Sequence, residues 1–471
     1  MLMQTFRNCN NPILPIDIHV PDSEGHVMPD GRLYIYGSFD NSDDVFCSEE
    51  YHVVSTADLV DWSIFDKALD GNDIPWLNEP SAPHYPGIDW SNPTPFIQKM
   101  IERDRKNGID IKKKFEEEAR KSTRAPKLLF APDCIFSKGR YYLYFCGADD
   151  SEGVAVSDDP QGPFTEPVQL PCGGIDPAVF IDDDGQAYYY WGQLFSHGVK
   201  LNSDMCSFDR SEIRDNLITE EEHYFHEGSS MRKIGGKYYY VYACITYGKP
   251  TSLGYAMSDS PMGSFQYKGV IINNEACDPA SWNNHGSIEY FNGQWYVLYH
   301  RASGGVQQHR RLCMEKIEIL SDGSIPEVKM TSQGVGKPFV RDDVIMGYQV
   351  CEVHGGCFVE RDTSGTVYKE YLGNIIEGCS AVFRYISHTA ERPLLGIRIT
   401  GAGSGTIIVY LTCFDGNQLN AKELRVVEVG EFSIRDGNGT LMFPDFEFGE
   451  YELTLKFINS EGMMIDQIEL Y

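Results

Sequence analysis

The segment "GGKYYYVYA" (235–243) decides how this sequence folds, because it is one of five copies of a single pattern. In each copy a glycine at a turn is followed three residues later by tyrosine, within a run of apolar residues typical of a β-strand. The other copies are "DGRLYIYGSFD" (30–40), "KGRYYLYFCGADD" (138–150), "DGQAYYYWG" (184–192) and "NGQWYVLYHRAS" (292–303). The glycines that mark the five turns are Gly31, Gly139, Gly185, Gly236 and Gly293.

The spacing of these glycines predicts a β-propeller. The last four are separated by 46, 51 and 57 residues, and the first gap of 108 residues equals about one repeat plus an insertion. A second turn signal follows each copy, which gives about four short strands per unit. One such unit cannot bury both faces of its sheet alone, whereas radial packing of five units can. We therefore expect an all-β chain with a five-bladed propeller over residues 1–334.

Two parts of the chain depart from the repeat. Residues 71–128 are charged and compatible with helix, with an apolar stripe at Phe96, Ile97, Met100 and Ile101, and they predict an insertion on the propeller rim. A packing role is favoured over a lid for this insertion. Residues 335–471 contain strands such as "GTIIVYLTCFDG" (405–416) and predict a β-sandwich. Because no tryptophan follows Trp295, a structural role for this sandwich is as well supported as sugar binding.

Composition limits the partners of the protein. The chain has 471 residues, 45 of them glycine, and 13% are aromatic, which suits many short strands and tight turns. The formal net charge of −29 argues against nucleic acid and anionic membranes as partners, since both are polyanions. A neutral substrate is unaffected by this charge.

The expected location is the cytoplasm. The first residues, "MLMQTFRNCNNPILP", lack the apolar core of a signal peptide, and no stretch reaches 18 consecutive apolar residues. The thirteen cysteines form no CxxC pair, and we interpret them as small apolar residues in a reducing compartment.

Measured from the marker glycines, three carboxylates occupy the same place in three repeats. Asp22, Asp176 and Glu227 each lie nine residues before the glycine of their own hairpin. The strand that enters the hairpin should line the central channel, so the three side chains should meet at one mouth of it. Capping of local turns is the alternative role for these acids. We favour a functional site, because poor strand formers such as Pro21 and Pro177 adjoin them.

Other polar residues are judged by the same measure. Asp133 lies six residues before its glycine, which predicts a pocket-lining or structural residue. His285 lies eight before Gly293 and could contact substrate or bind an ion from the channel. Asp182, Asp183 and Asp184 are expected in a solvated turn rather than around a metal.

Facing carboxylic acids suit cleavage of a glycosidic bond. One acid must be protonated to donate to the leaving oxygen, and another must be ionised to activate water. A third carboxylate nearby can hold a proton on the donor, because a neighbouring negative charge disfavours ionisation.

Over residues 10–330 the sequence resembles glycoside hydrolase family 43. The resemblance is carried by five segments in order: "NPILP…VPDSEGHVMPDGRLYIYGSFD", "APDCIFSKGRYYLYF", "GGIDPAVFIDDDGQAYYYWG", "HEGSSMRKIGGKYYYVYA" and "NNHGSIEYFNGQWYVLYHR". It implies a five-bladed propeller that inverts anomeric configuration. The end of the chain, "MMIDQIELY", is similar to family 6-type carbohydrate-binding modules.

The resemblance implies a role for each site residue. Asp22 matches the general base, Asp176 the residue that modulates the pKa, and Glu227 the general acid. Arg310 matches an arginine that contacts the innermost sugar, with Arg311 as the alternative. His285 matches a channel histidine that in many members helps to hold a calcium ion, largely through water.

One departure leaves the base open. The family segment usually reads Asp-Pro, whereas this chain has Asp22-Ser23, so Glu24 is a rival if the register slips. The signatures of the related invertase-like propellers, which use a retaining nucleophile, are absent.

The expected activity is release of a terminal pentose, α-L-arabinofuranose or β-D-xylose, from plant-derived oligosaccharides. The alternatives are a galactofuranosidase or another furanosidase of the same family, and a sugar-binding propeller that has lost catalysis. Arg310 and Asp133 are the expected substrate contacts, and one structural calcium ion in the propeller channel, near His285, is the expected cofactor.

Overall fold

The protein is described by a computed structural model. It describes residues 2–79, 127–414, 417–419 and 423–471, together with scattered positions between 80 and 126. Most of the 71–128 insertion, with the stripe predicted at residues 96–101, lies outside the described residues. No helix within the described parts of the chain is long and apolar enough to cross a membrane.

The propeller consists of five antiparallel sheets in chain order. The first contains β1 (Leu2–Arg7), β2 (Glu24–Val27), β3 (Leu33–Gly37), β4 (His52–Thr56) and β5 (Asp61–Phe65). The second contains β6 (Asp133–Ser137), β7 (Arg140–Cys146), β8 (Ser151–Ser157) and β9 (Thr165–Gly173). The third contains β10 (Ala178–Ile181), β11 (Ala187–Trp191), β12 (Phe195–Lys200) and β13 (Arg214–Thr219). The fourth contains β14 (Phe225–Ile234), β15 (Lys237–Cys244), β16 (Ser252–Ser258) and β17 (Gln266–Asn273). The fifth contains only β18 (Ser287–Phe291), β19 (Gln294–Ser303) and β20 (Val306–Ile317).

The five marker glycines all adopt the left-handed backbone conformation. Their φ angles lie between 79° and 87°, a region that glycine enters without steric cost. Each therefore closes the hairpin between the first and second strands of its blade, as the repeat predicts.

Blade faces are buried against neighbouring blades. Five apolar clusters each draw side chains from two adjacent sheets, including one between the fifth blade and the first. The tyrosines of the repeat contribute to these clusters, and Tyr189, Tyr240 and Tyr299 are fully buried. A single blade would expose this apolar surface, so the ring is the unit that folds.

The innermost strands form a closed ring around the channel. Neighbouring members of the series β2, β6, β10, β14 and β18 are in contact, and β18 also contacts β2. Ser23 and Gly286 form a parallel bridge where the ring closes. The amino-terminal strand β1 pairs with β5 and so extends the first blade outward, rather than completing the three-stranded fifth blade.

The second domain is a single nine-stranded sheet that curls around one apolar core. Its strands are β21 (Val344–Met346), β22 (Glu352–His354), β23 (Phe358–Asp362), β24 (Lys369–Gly373), β25 (Ser380–His388), β26 (Gly396–Phe414), β27 (Glu423–Ile434), β28 (Asn438–Met442) and β29 (Gly449–Leu470). The register between β26 and β29 shifts near residues 400–406, and such bulges bend long strands. The two layers of the predicted sandwich are thus parts of one bent sheet, because its long strands continue through the bend from one layer into the other.

The helices are short and lie between strands. Outside the largely undescribed residues 80–126, one α-helical turn spans Glu220–His223, and 3₁₀ turns span Gly71–Asp73, Pro75–Leu77, Arg210–Glu212, Glu275–Cys277 and Gly347–Gln349. The two domains share apolar contacts, because Cys351 and Val382 belong to the cluster between the fourth and fifth blades.

Candidate active site

Asp22 lies at the mouth of the channel in an unusual backbone conformation. It precedes β2, has φ of 55° and is buried. The left-handed conformation costs a non-glycine residue energy, so the surrounding contacts must hold it in place. Its Oδ2 accepts a hydrogen bond from the Ser38 hydroxyl, and its Oδ1 accepts one from Arg310 Nη1 at 2.6 Å.

Arg310 connects Asp22 to the loop between β3 and β4. Its Nε and Nη2 donate to the two oxygens of Asp40, each at 2.9 Å, and its guanidinium lies 4.9 Å from the centre of the Phe46 ring. All three charged residues are buried. The two-pronged bond to Asp40 fixes the guanidinium plane and so directs Nη1 toward Asp22.

The charges around Asp22 favour its ionised form. Burial raises the pKa of this carboxyl, but Arg310, His285, His300 and the hydrogen bond from Ser38 together lower the pKa below its ordinary value of 3.8. Asp22 is therefore a carboxylate at neutral pH, the form that a general base requires.

Asp176 occupies the matching place in the third blade, but its pKa is shifted in the direction opposite to that of Asp22. Its φ is 57°, and its carboxyl is also buried. Burial, together with the negative charges of Glu227 and Asp22, raises the pKa of Asp176 well above its ordinary value. The protonated form of Asp176 is therefore favoured.

His285 lies between two of these acids. Its Nδ1 is 3.8 Å from Asp22 Oδ1 and 3.7 Å from Asp176 Oδ2. The imidazole also packs on the fourth blade, because a Cβ added to Gly228 would lie 2.9 Å from His285 Cδ2. Asp22, Asp176 and Gly228, the residue next to Glu227, thus lie around this histidine.

Glu227 begins the irregular part of β14. The pairing with β15 shifts register on both sides of it, and Gly228 has φ of 75°. This bulge turns the glutamate out of the regular pleat. Its Oε2 accepts a hydrogen bond from Gln193 Nε2 at 2.6 Å, and 14% of its side chain is exposed, so it remains accessible from the mouth.

Asp133 belongs to a second cluster along the channel. Its two oxygens contact His26 Nε2 and the backbone N–H of Val179, each at 2.7 Å. Arg232 joins the cluster by donating to Glu24 Oε1 at 2.7 Å, and it lies 3.3 Å from Glu289. Strands β2, β6, β10, β14 and β18 each contribute a group, so the cluster spans the channel.

This second cluster changes two sequence-based assignments. Both oxygens of Asp133 are engaged within it, so Asp133 has the structural role and the predicted sugar contact is not supported. Glu24 is held by Arg232 and Ser230 in the same cluster, which leaves Asp22 without its rival as the base.

Arg311 is likewise separated from the site. Adjacent residues on a strand point to opposite faces, so Arg311 faces away from the channel when Arg310 faces into it. Its Nη1 donates to Glu370 of the second domain at 2.6 Å, and both side chains are buried.

The protein atoms around His285 offer little to a calcium ion. Calcium takes six to eight oxygen ligands. Burial lowers the pKa of His285, so its imidazole is neutral, and among the described residues the carboxylates that form close contacts with Nδ1 are those of Asp22 and Asp176. Among the described residues, the side chains grouped closely enough to bind a metal ion are Glu24, His26 and Asp133. The negative charge of this group is already paired with Arg232. An ion at His285 would be coordinated mainly by water.

Several site residues were not identified from the sequence. They are Ser38, Asp40, Gln193 and His300. Each lies at the end of the second strand of its blade or just after it, and that strand returns to the mouth. They lie seven to nine residues after the marker glycine of their own repeat, so a search for polar residues over that interval would have found them.

Comparison with known proteins agrees with this arrangement. Residues 91–325 match the family described as glycosyl hydrolases family 43. The xylosidase/arabinosidase 43A of Humicola insolens is 31% identical over 364 residues, which cover 66% of this chain and 96% of that protein. The chain belongs to glycosyl hydrolases family 43. It is a glycosidase, and its substrate is a carbohydrate.

Other similar proteins cover about two thirds of the chain or nearly all of it. The xylosidase/arabinosidase of Thermoclostridium stercorarium is 31% identical over 373 residues, which cover 69% of this chain and 67% of that protein. The crystal structure of a β-xylosidase/α-arabinofuranosidase from a compost microbial metagenome superposes with a TM-score of 0.51 at 28% identity, covering 69% of this chain and 98% of that one. An arabinoxylan arabinofuranohydrolase from Bacillus subtilis shares the fold over 98% of this chain and 97% of its own, with a TM-score of 0.50 at 22% identity.

Proposed function

We propose that this family 43 glycosidase releases single terminal pentoses, α-L-arabinofuranose or β-D-xylose, from oligosaccharides with inversion of configuration. The observation that carries the proposal is the convergence around His285 of an ionised Asp22 and of Asp176, whose pKa is raised by burial and by the charge of Glu227. Similar proteins named xylosidase/arabinosidase support the choice of pentoses.

In the proposed reaction, Asp22 removes a proton from a water molecule on one face of the sugar. Glu227 donates a proton to the glycosidic oxygen on the other face, so the bond to the leaving sugar breaks as the bond to water forms. Asp176 keeps a proton available to Glu227, because two neighbouring carboxyls resist ionising together. Arg310 keeps Asp22 ionised and oriented, and Gln193 orients the Glu227 carboxyl.

The test of the acid role uses substrates with different leaving groups. Glu227→Ala should lower kcat/KM for xylobiose and arabinoxylo-oligosaccharides by about 10²- to 10⁴-fold, because a sugar oxygen must be protonated to leave. For 2,4-dinitrophenyl pentosides the loss should be far smaller, since dinitrophenolate leaves without protonation.

The matched control is Asp22→Ala. Activation of water is required whatever group leaves, so this variant should lose activity to a similar extent on both kinds of substrate. Equal losses on both kinds of substrate for Glu227→Ala would rule out Glu227 as the general acid. A panel of 4-nitrophenyl α-L-arabinofuranoside, β-D-xyloside and β-D-galactofuranoside identifies the sugar, and hydrolysis of the galactofuranoside alone would replace the pentose assignment.

A further inference from the structure

The second domain touches the propeller beside the proposed site. The contact is made by the hairpin of β23 and β24, and it begins at the turn between β19 and β20. The backbone N–H of Gly304 donates to the carbonyl of Val359 at 2.9 Å. A Cβ on Gly304 would lie 2.5 Å from Arg361 Nε, and one on Gly305 would lie 3.2 Å from the Phe358 ring, so this turn packs directly on β23.

Arg361 extends from β23 to the loop between β3 and β4. Its Nη1 and Nη2 each donate to one oxygen of Asp43 at 3.1 Å. His309 contacts the same carboxylate, with Nε2 2.5 Å from Asp43 Oδ1, and lies against Arg361. Asp43 stands three residues after Asp40, the partner of Arg310, so Arg361 holds the middle of the loop that positions the site arginine.

Glu370 on β24 makes the second contact. It accepts from Arg311 at 2.6 Å and from the Tyr368 hydroxyl at 2.9 Å. His309 and Arg311 are the two chain neighbours of Arg310 on β20. The hairpin therefore holds β20 on both sides of Arg310, and it also holds the loop that supplies Asp40.

We infer that the β23–β24 hairpin is a working part of the catalytic site, in which Arg361 is a positioning residue that keeps Arg310 aligned with Asp22. This inference rests on the roles proposed above for Asp22 and Arg310. It gives the second domain a task in turnover that is independent of any affinity for carbohydrate chains. The region it steadies needs such support, because the middle of the loop, residues 41–46, is exposed or half-exposed and belongs to no strand.

The test compares Arg361→Ala with Arg398→Ala on a 4-nitrophenyl pentoside. Arg398 is the matched control, since it forms an ion pair with Glu469 at 3.2 Å in the same domain but on the surface. A monosaccharide glycoside offers no chain for a binding module to hold. We expect Arg361→Ala to lower kcat by about 10- to 100-fold, because small displacements of catalytic groups have effects of this size. Arg398→Ala should change kcat by less than about twofold, as expected for an exposed ion pair.

Three further readouts separate positioning from general damage. The acidic limb of the kcat/KM profile should move to higher pH in Arg361→Ala, because a displaced Arg310 stabilises the Asp22 carboxylate less well. Arg361→Lys should recover part of the activity. Asp43→Ala should reproduce the loss, and the double variant with Arg361→Ala should be no worse than either single variant. If Arg361→Ala does not fold, Asp43→Ala, whose side chain is 55% exposed, carries the same test.

The positioning role of Arg361 and the proposed function can fail separately. Wild-type kcat in Arg361→Ala and Asp43→Ala, with impaired binding of oligosaccharides only, would overturn the inference and leave the proposed function intact. Full activity in Asp22→Ala would instead overturn the proposed function itself.

Discussion

Replacement of Arg310 by methionine should reveal how the site keeps its base ionised. The change removes one hydrogen bond to Asp22 at 2.6 Å and two to Asp40 at 2.9 Å, and it leaves both buried carboxyls without their cation. Removing one partner of a buried ion pair costs about 3–5 kcal/mol. We expect a loss of free energy of unfolding within that range at pH 7.

The sign of the pH dependence follows from Asp22. Its pKa in the folded protein is lowered, so it contributes stability above its ordinary pKa that is lost as pH falls through the folded value. Without Arg310, burial is opposed only by the histidines and Ser38, and the pKa of Asp22 rises. The stability difference between wild type and Arg310→Met should therefore be largest at neutral pH. It should shrink as pH falls, first through the raised pKa of Asp22 in the variant and then through the lowered pKa of Asp22 in the wild type.

Two measurements check this expectation. Urea unfolding at pH 7 and pH 4 gives the stability difference, and the pH profile of kcat/KM should show its acidic limb displaced to higher pH in the variant. Arg310→Lys, which keeps the charge but loses the planar fork, should fall between wild type and Arg310→Met. An acidic limb that stays in place, with the same stability loss at both pH values, would refute the view that Arg310 keeps Asp22 ionised.

Three other outcomes are expected. Asp176→Asn should lower kcat/KM by about 10²-fold yet gain stability relative to wild type as pH rises from 4 to 7, because burial and neighbouring charge raise the pKa of this acid and disfavour its ionised form in the folded protein; a stability difference that does not change with pH would contradict this. Gly286→Ala should lower the free energy of unfolding by more than about 3 kcal/mol, because the added Cβ would lie 1.9 Å from the Leu298 carbonyl oxygen. Gly185→Ala, with φ of 83° and open space around it, should lower it by only about 1–2 kcal/mol. Equal unfolding midpoints for the two variants would argue against the close packing at Gly286. If an ion at His285 is held mainly by water, removing calcium with a chelator should change kcat only partly and leave the fold intact, and adding calcium back should restore kcat. Unfolding on chelation would show a structural ion instead.

The repeat groups Asp22, Asp176 and Glu227 because it reflects a backbone constraint. Each marker glycine closes the same turn, so a fixed offset from it reaches the same height in the channel, and Asp22 and Asp176 even share the left-handed conformation. Asp133, at a different offset, lies in the separate cluster with His26 and Arg232, away from its predicted role as a sugar contact. Glu227 kept its offset although a bulge alters the strand around it.

Other features depend on contacts between distant segments. The choice between Arg310 and Arg311 turned on which face of β20 meets the channel, which the local pattern does not reveal. Asp40 reaches Arg310 from a loop whose path is set by tertiary packing, including Arg361 of the other domain. The sandwich was predicted from strand composition, but the continuity of its curled sheet follows from the bulged pairing of β26 with β29.

The cluster of Glu24, Asp133 and Arg232 gives the propeller hole a floor. Five strands meet there through mutually bonded, mostly buried groups, and these side chains lie across the channel. A pentose released beside Asp22 should therefore leave through the mouth of the channel before another substrate can bind. Substrate and product should therefore use the same opening, and free pentose should inhibit the enzyme by occupying the site.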